Sequence, residues 1–505
     1  MDMDKYGLFS ILLETSKSFA NRDAVYYESQ KLTYKALTFR AERMSAFLSS
    51  IGVKQGSLVA LWLPNSPDYV ALYFAIWRLG AIAVPLNYFW KESEIEFVLE
   101  DCNAQVLIVS QDRYFQGEAL YRKGLFRHLL MSPAIFSKID NFVPSAPVEV
   151  NLHSPALIIY TSGTTGKPKG AMLSHNNLIS NVRSCMNTIQ FSKRDSVLCI
   201  LPLFHSFAVT VCMLIPISLG AKIVFGQPGS PKSLINVILK GQVSVLVGIP
   251  PLFSLMAEAG LPKWIKPWMI KLLWPVRIAI SGASGLPVSV FENFQKKYGI
   301  PLLEGYGLTE ASPVVSLNPV GRQRPGSVGL PISDVEVKIV DEAGLEVQLN
   351  KPGEIIVKGP NVMLGYLNRP QDTKQAIRNG WLYTGDLGYK DADGFLYIVG
   401  RKKDMINVRG LNVYPREIED LLESHPFVKE AAVVGIKSKF KGERPVAFVV
   451  LREYEHISEQ ELIGFMRERL ADYKVPARVY FIKELPKNAL RKVEKQELIK
   501  LAESK

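Results

Sequence analysis

A chain of 505 residues is too long to bury a single core, so two or more domains are expected. With 48% hydrophobic and 21% charged residues it has an ordinary globular composition, which excludes a disordered or fibrous chain. Sixty basic against 48 acidic residues leave a net charge of +12, suited to nucleotides, carboxylates or membrane surfaces, but the basic residues are scattered and form no nucleic-acid reader motif.

Cys102, Cys185, Cys199 and Cys212 form no Cys-x-x-Cys pair and read as reduced thiols of a cytoplasmic protein. The N-terminus, Met1-Asp2-Met3-Asp4-Lys5, is acidic where a secretory leader is basic. The longest apolar run, Phe207 to Leu219, falls short of the ~20 residues a membrane span needs, so no crossing of a bilayer is expected.

In chain order, an amphipathic helix is expected around 9–13. From Leu32 onward Leu37, Met44, Phe47, Leu48 and Ile51 recur at helical spacing. A strand at 58–63, a helix from Asp68, a strand at 81–86, a helix from Glu92 and a strand at 106–109 follow. Such alternation implies parallel sheets joined by crossover helices. Residues 111–150 show no periodicity and read as irregular. Strands at 196–201, 222–225, 243–248 and 276–280 resume the alternation. Beyond a Gly/Pro/Arg-rich break at 318–331, short strands at 335–340 and 354–357 without long helices suggest a small barrel or antiparallel sheet. The last hundred residues return to mixed α/β, with helices near 415–424 and 458–470.

The most informative stretch follows the apolar run 156–159: Tyr160-Thr161-Ser162-Gly163-Thr164-Thr165-Gly166-Lys167-Pro168-Lys169-Gly170. Glycines let successive N–H groups point one way, hydroxyls add donors, and lysines add charge that can swing onto a phosphate. The spacing is not that of a Walker A loop, because Gly163 and Gly166 lie too close and Pro168 follows Lys167. A plain polar turn remains open on composition alone. In Glu304-Gly305-Tyr306-Gly307-Leu308-Thr309-Glu310, two glycines flank a tyrosine whose face suits stacking on adenine, and Glu310 is a hard ligand of the kind Mg²⁺ accepts. The alternative is a turn with a buried tyrosine. Within 380–388, Asp386 sits in a glycine-bounded turn where a carboxylate can accept both hydroxyls of a ribose, or simply form the turn.

Together these stretches resemble the signatures of the adenylate-forming superfamily, which comprises acyl-CoA synthetases, luciferases and the adenylation domains of peptide synthetases. The resemblance runs from Leu32-Thr33-Tyr34 to Lys492 and is strongest to medium- and long-chain fatty acid–CoA ligases. It implies an α/β fold: a large N-terminal domain, 1–400, made of two doubly wound α/β subdomains plus a small β-barrel. A hinge at 401–404 would join it to a mobile α+β lid, 405–505. It further implies ATP and coenzyme A as substrates, Mg²⁺ as cofactor, and a cytoplasmic enzyme. ATP would be held by Thr161, Ser162, Gly163, Thr164, Thr165, Gly166 and Lys169, by Gly282, Ala283 and Ser284, and by Glu304, Gly305, Tyr306, Gly307 and Thr309. Asp386, Ile398 and Arg401 would surround the ribose, and Glu310 with Thr165 the metal.

His205, in Leu201-Pro202-Leu203-Phe204-His205-Ser206, matches a histidine that orients the acid, and Thr309 and Glu310 join the catalytic group. Amino-acid-activating relatives carry Asp where His205 stands, and a buried ammonium without a counter-charge is costly, so an amino-acid substrate is not expected. Lys403 occupies the hinge pivot, and Gly410 the place where a glycine admits pantetheine. Lys492 matches the adenylation lysine, although Arg491 replaces the usual preceding glycine, which leaves Lys487 and Lys495 as rivals. Phe207–Val211 and Gly326–Gly329 are expected to line an acyl pocket without fixed charge. The Trp/Lys-rich stretch 263–274 admits two readings, contact with a membrane surface or packed surface beside the acyl tunnel. A carrier-protein-loading fatty-acyl-AMP ligase, an aryl-acid CoA ligase and a non-catalytic nucleotide-binding protein are the alternatives.

Overall fold

Leu58–Trp62, Ile82–Pro85 and Val106–Val109 are apolar at almost every position and buried nearly throughout, the pattern of strands covered on both faces. The computed structural model describes residues 5–162, 168–226, 231–258, 274–408, 411–438, 442–453, 455–487 and 493–504. In it these three strands pair in parallel at the heart of a seven-stranded sheet. Its order is Gly365–Tyr366, Pro168–Ser174, Pro155–Ser162, Ile82–Pro85, Leu58–Trp62, Val106–Val109, His128–Met131. A nine-stranded sheet runs Leu330–Pro331, Val314–Leu317, Leu302–Gly307, Ile278–Ser281, Val245–Gly248, Ser196–Cys199, Lys222–Phe225, Asp23–Tyr27, Gln30–Thr33.

The helix Pro67–Arg78 shows how the two sheets are joined. Ser66 caps it by accepting from the Tyr69 N–H at 3.2 Å, and Pro67 occupies the first turn, where no N–H is needed. From Tyr69 to Arg78 every residue is buried, so the helix has no solvent face and lies inside the domain. Each such buried large apolar side chain contributes about 1.5–3 kcal/mol. One continuous core includes Val59 and Leu61 of the first sheet, Val197, Val245 and Ile278 of the second, and Ile339 and Ile355 of the antiparallel sheet. That third sheet consists of Glu336–Val340, Gly353–Lys358, Trp381–Lys390 and Ile377–Arg378, with Leu396–Arg401 paired to Trp381–Lys390. The C-terminal residues form a further sheet with cores of their own on its two faces, around Ile418 and Phe448.

The segment 111–150 departs from expectation. It holds the helix Tyr114–Arg122, the strand His128–Met131 and the short helix Ser132–Phe136. The helix buries only Gly117 and Leu120 and exposes Phe115, so it carries no apolar stripe to read, and the strand lies at a half-buried sheet edge. The four cysteines are buried as free thiols. Among the described residues no helix is long and apolar enough to cross a membrane.

Candidate active site

Ser196–Cys199, Val245–Gly248, Ile278–Ser281 and Leu302–Gly307 run parallel as neighbours, and open α/β sheets bind ligands beyond the carboxyl ends of such strands. From these ends come His205, the stretch Gly282-Ala283-Ser284, and Glu304 to Glu310. The other wall is a hairpin of the seven-stranded sheet. Pro155–Ser162 and Pro168–Ser174 pair antiparallel with Thr161 opposite Lys169, so the described ends of the phosphate-loop signature lie on two paired strands. Its central residues Gly163, Thr164, Thr165 and Gly166 lie outside the described residues, as do Gly410, Arg491 and Lys492, and residues 263–273 of the Trp/Lys stretch.

The two sides meet at Glu310. Its Oε1 accepts from Tyr366 Oη at 2.9 Å and from Thr161 Oγ1 at 3.4 Å. Burial, then the Glu310 charge, push the Tyr366 hydroxyl well above its ordinary value, so it stays a donor. Lys169 reaches Asp372 Oδ1 at 2.6 Å. Among the described residues no three His, Cys, Asp or Glu side chains gather into a protein-only cage. A hard carboxylate beside a hydroxyl fits a Mg²⁺ that takes its remaining ligands from phosphate and water.

Tyr306 lies one strand-end away and donates to Asp386 Oδ2 at 2.7 Å, while Arg401 Nε stands 3.3 Å from Asp386 Oδ1. Asp386 and Arg401 are register partners on adjacent strands, which fixes that pair. Burial and the neighbouring Asp386 charge hold the Tyr306 hydroxyl far above its ordinary value. The flanking glycines answer a backbone need rather than exposing the ring. A Cβ on Gly305 would stand 3.0 Å from the Ser316 carbonyl oxygen, and one on Gly307 only 2.1 Å from that of Pro313. Ile398 is half-buried on the strand beside Asp386 and pairs with Gly388.

His205 is positioned by residues that carry no sequence signature. Asn65 spans its loop, donating to the Leu201 carbonyl and accepting from the Leu203 N–H, both at 2.8 Å, and Tyr73 Oη donates to the Leu203 carbonyl at 2.7 Å. The next residue, Ser206, lies 3.3 Å from the Thr309 hydroxyl, tying this loop to the Glu310 turn. The His205 ring packs on Phe204, centroids 4.5 Å apart.

Gly282 lies against the Phe207 ring, where a Cβ would meet Cζ at 3.0 Å, and Ala283 adopts a left-handed φ of 73°. Glu304 is 4% exposed and accepts from the Leu286 N–H at 2.8 Å. Burial raises its carboxyl to about 7 against the opposing pull of Arg416. The folded protein therefore keeps this proton up to about pH 7, while the unfolded chain releases it near the ordinary 4.5. Stability falls as pH rises through that window, by about 3 kcal/mol at most. Glu304→Gln, which keeps the acceptor, is expected to melt higher than the parent at pH 8 and to lose that advantage at pH 4.5. Equal shifts at both pH values in thermal melts would count against it.

At the expected hinge, Lys403 is exposed in the short turn Lys402–Asp404. Its neighbour Lys402 pairs with Glu354 Oε2 at 2.8 Å, and Glu354 Oε1 accepts from the Gly385 N–H at 3.2 Å. Glu354 thus links the turn Lys402–Asp404 to the strand Trp381–Lys390, where Asp386 lies in paired strand rather than in the glycine-bounded turn expected from the sequence. Sequence reasoning passed over Glu354, Asn65, Tyr73, Tyr366 and Asp372.

The profile of the AMP-binding enzyme family matches residues 12–367, and that of the AMP-binding enzyme C-terminal domain matches 417–492. The chain belongs to the AMP-binding enzyme family. This AMP-binding enzyme is 34% identical to a long-chain-fatty-acid–CoA ligase of Bacillus subtilis, over 97% of this chain and 94% of that protein. It is 31% identical to 4-coumarate-CoA ligase 1 of Narcissus pseudonarcissus, over 98% and 93%. The crystal structure of ATP-bound MatB from Rhodopseudomonas palustris superposes with a TM-score of 0.92 at 29% identity, covering 98% and 99%. Family and relatives agree on an AMP-forming acid–CoA ligase as the class of enzyme, and the relatives diverge on the acid.

Proposed function

We propose that this AMP-binding enzyme joins a medium- to long-chain fatty acid to coenzyme A in two steps, forming an acyl-adenylate and pyrophosphate from ATP and then the thioester and AMP. The observation that carries the reading is the run of polar groups from Thr161 and Glu310 to Tyr306 and Asp386, which ends against an uncharged wall. Along that wall Ala208, Val209 and Val211 are buried, and the Thr210 hydroxyl is spent on the Ser312 carbonyl at 3.0 Å. Among the described residues of that wall none carries a charge to answer one on the far end of the acid, and His205 stands where an amino acid would need a carboxylate.

Each residue has a physical task. Asp386 accepts the ribose hydroxyls with Arg401 behind it, and Tyr306 stacks on adenine beside Gly282, Ala283 and Ser284. Thr161 to Gly166 and Lys169 donate to the phosphates. Mg²⁺, held by Glu310 and Thr165, would supply charge neutralisation at the phosphates. Two anions must approach for the acid to displace pyrophosphate, so positioning and neutralisation account for most of the catalysis. His205 and Thr309 orient the carboxylate, and Lys492 brings a further cation. The mixed anhydride is destroyed by water, so the lid 405–505 must cover it, turning about Lys403 to present Gly410 to the thiol. The relationship to 4-coumarate-CoA ligase favours an aryl acid as the second reading.

An acid panel assayed for pyrophosphate and thioester with ATP and Mg²⁺ tests this. Fatty acids of eight carbons or more are expected to exceed coumarate and ferulate in kcat/KM by roughly tenfold or more, a few buried methylenes' worth of binding. Faster turnover of aryl acids would replace the reading with the second one, and pyrophosphate without thioester would point to a carrier protein as acceptor.

A further inference from the structure

The segment Gly365–Ala376 carries no catalytic signature, yet it stands between the two groups that face the phosphates. Its strand Gly365–Tyr366 pairs antiparallel with Pro168–Ser174, placing Tyr366 opposite Ala171. Thr373 pins the backbone there: its hydroxyl accepts from the Tyr366 N–H at 2.9 Å and donates to the Arg369 carbonyl at 2.9 Å. From this fixed base the Tyr366 hydroxyl reaches Glu310 Oε1 at 2.9 Å. The face of the same ring lies 5.5 Å, centroid to Nζ, from Lys169, whose side chain is 13% exposed and is held on its far side by Asp372 at 2.6 Å.

We propose that Tyr366 is a positioning residue with two working surfaces: its hydroxyl orients Glu310 toward the cation, and its ring holds the Lys169 ammonium toward the phosphates. The inference rests on the roles given to Glu310 and Lys169 under Proposed function. A glutamate has three side-chain torsions, and an unrestrained carboxylate would offer either oxygen in many orientations. The donors Tyr366 and Thr161 both engage Oε1, which directs the lone pairs of Oε2 to the ligand. An ammonium over an aromatic face is attracted to the ring without being neutralised by it, so the ring fixes the Lys169 head while Asp372 is its one carboxylate partner among the described residues. Asp372 takes one of its three donors and leaves two.

The two surfaces separate by substitution. Tyr366→Phe keeps the ring and removes the hydroxyl, and Tyr366→Leu removes both. The probe is Mn²⁺ bound with α,β-methylene-ATP to the full chain, read by electron paramagnetic resonance, so no turnover is needed. Tyr366→Phe is expected to weaken Mn²⁺ binding about tenfold, the size of one hydrogen bond to a charged group. Its affinity for the metal-free nucleotide should stay within about twofold, and its kcat should recover at saturating Mg²⁺, because the ring is intact. Tyr366→Leu is expected to lose a further several-fold in affinity for metal-free pyrophosphate. In a Glu310→Gln background, Tyr366→Phe should change Mn²⁺ binding less than about twofold, since the group it orients is gone.

A Tyr366→Phe protein with parental Mn²⁺ binding, alongside a weakened Glu310→Gln, overturns the inference and leaves the ATP site standing. Parental Mn²⁺ binding in Glu310→Gln itself overturns the site reading, and the inference with it. If Tyr366→Phe does not yield folded protein, Thr373→Ala frees the same backbone and must weaken Mn²⁺ binding in smaller measure. No shift there also overturns the proposal.

Discussion

Lys492→Ala is expected to lose adenylate formation by a hundredfold or more while converting supplied acyl-AMP and coenzyme A to thioester at close to the parental rate. Removing one preorganised donor from a developing anion costs on the order of 10²–10³ in rate, and the first half-reaction alone brings a carboxylate against a phosphate. The second half-reaction needs a thiolate and an activated carbonyl, and in the proposed scheme the lid face that carries Lys492 is then turned elsewhere. Arg491, where the resemblance implies glycine, leaves Lys487 and Lys495 as rivals on sequence grounds. Both are already engaged within the C-terminal unit, Lys487 with Glu430 at 2.7 Å and Lys495 with Glu419 at 2.9 Å. For either to reach a phosphate from the lid it would have to leave that partner first, a cost that counts against both. Pyrophosphate exchange reports the first half-reaction and thioester release from acyl-AMP the second. Survival of both in Lys492→Ala, with loss of the first in Lys487→Ala or Lys495→Ala, would move the role.

What the sequence made legible follows from how each signal arises. Apolar strands covered on both faces announce themselves by composition, so 58–63, 81–86 and 106–109 were readable within a residue or two of Leu58–Trp62, Ile82–Pro85 and Val106–Val109. Tyr306, Glu310 and Asp386 stand out in the sequence because glycines flank or adjoin them, and the structure ties Tyr306 to Asp386 and sets Glu310 four residues past Tyr306. Tyr366 and Glu354 do not stand out. Each looks like an ordinary strand residue, and its role appears only when a strand distant in sequence sets it beside Glu310 or Lys402. Asn65 and Tyr73 escaped for the same reason: a buried amide and a buried phenol matter through the loop they hold, 130 or more residues away. The segment 111–150 was unreadable for another cause, since a helix that exposes Phe115 and buries little has no periodicity to detect.

Gly307→Ala is expected to be severely disruptive on the nucleotide side of the site, raising the KM for ATP at least tenfold and lowering the melting temperature by several degrees. The added Cβ would stand 2.1 Å from the Pro313 carbonyl oxygen, 2.8 Å from its carbon and 3.2 Å from Val314 Cα, all backbone, so no side chain can rotate away. The same carbonyl accepts from the Leu308 N–H at 3.0 Å, and parting the strands breaks that bond too. Overpacking of this kind costs about 1–3 kcal/mol when neighbours can shift, and more against fixed backbone. Tyr306 is the adjacent residue, and moving it by even an ångström detaches its hydroxyl from Asp386, now 2.7 Å away. Adenine and ribose contacts would then fail together. Gly464→Ala is the matched control: it lies in the helix Glu459–Arg467 with no described atom within 4 Å of the new methyl, and is expected to stabilise by about 0.5–1 kcal/mol. If both variants melt alike and Gly307→Ala keeps the parental KM, then Tyr306 is not held by the strand pairing, and the geometry drawn for the adenine side is wrong.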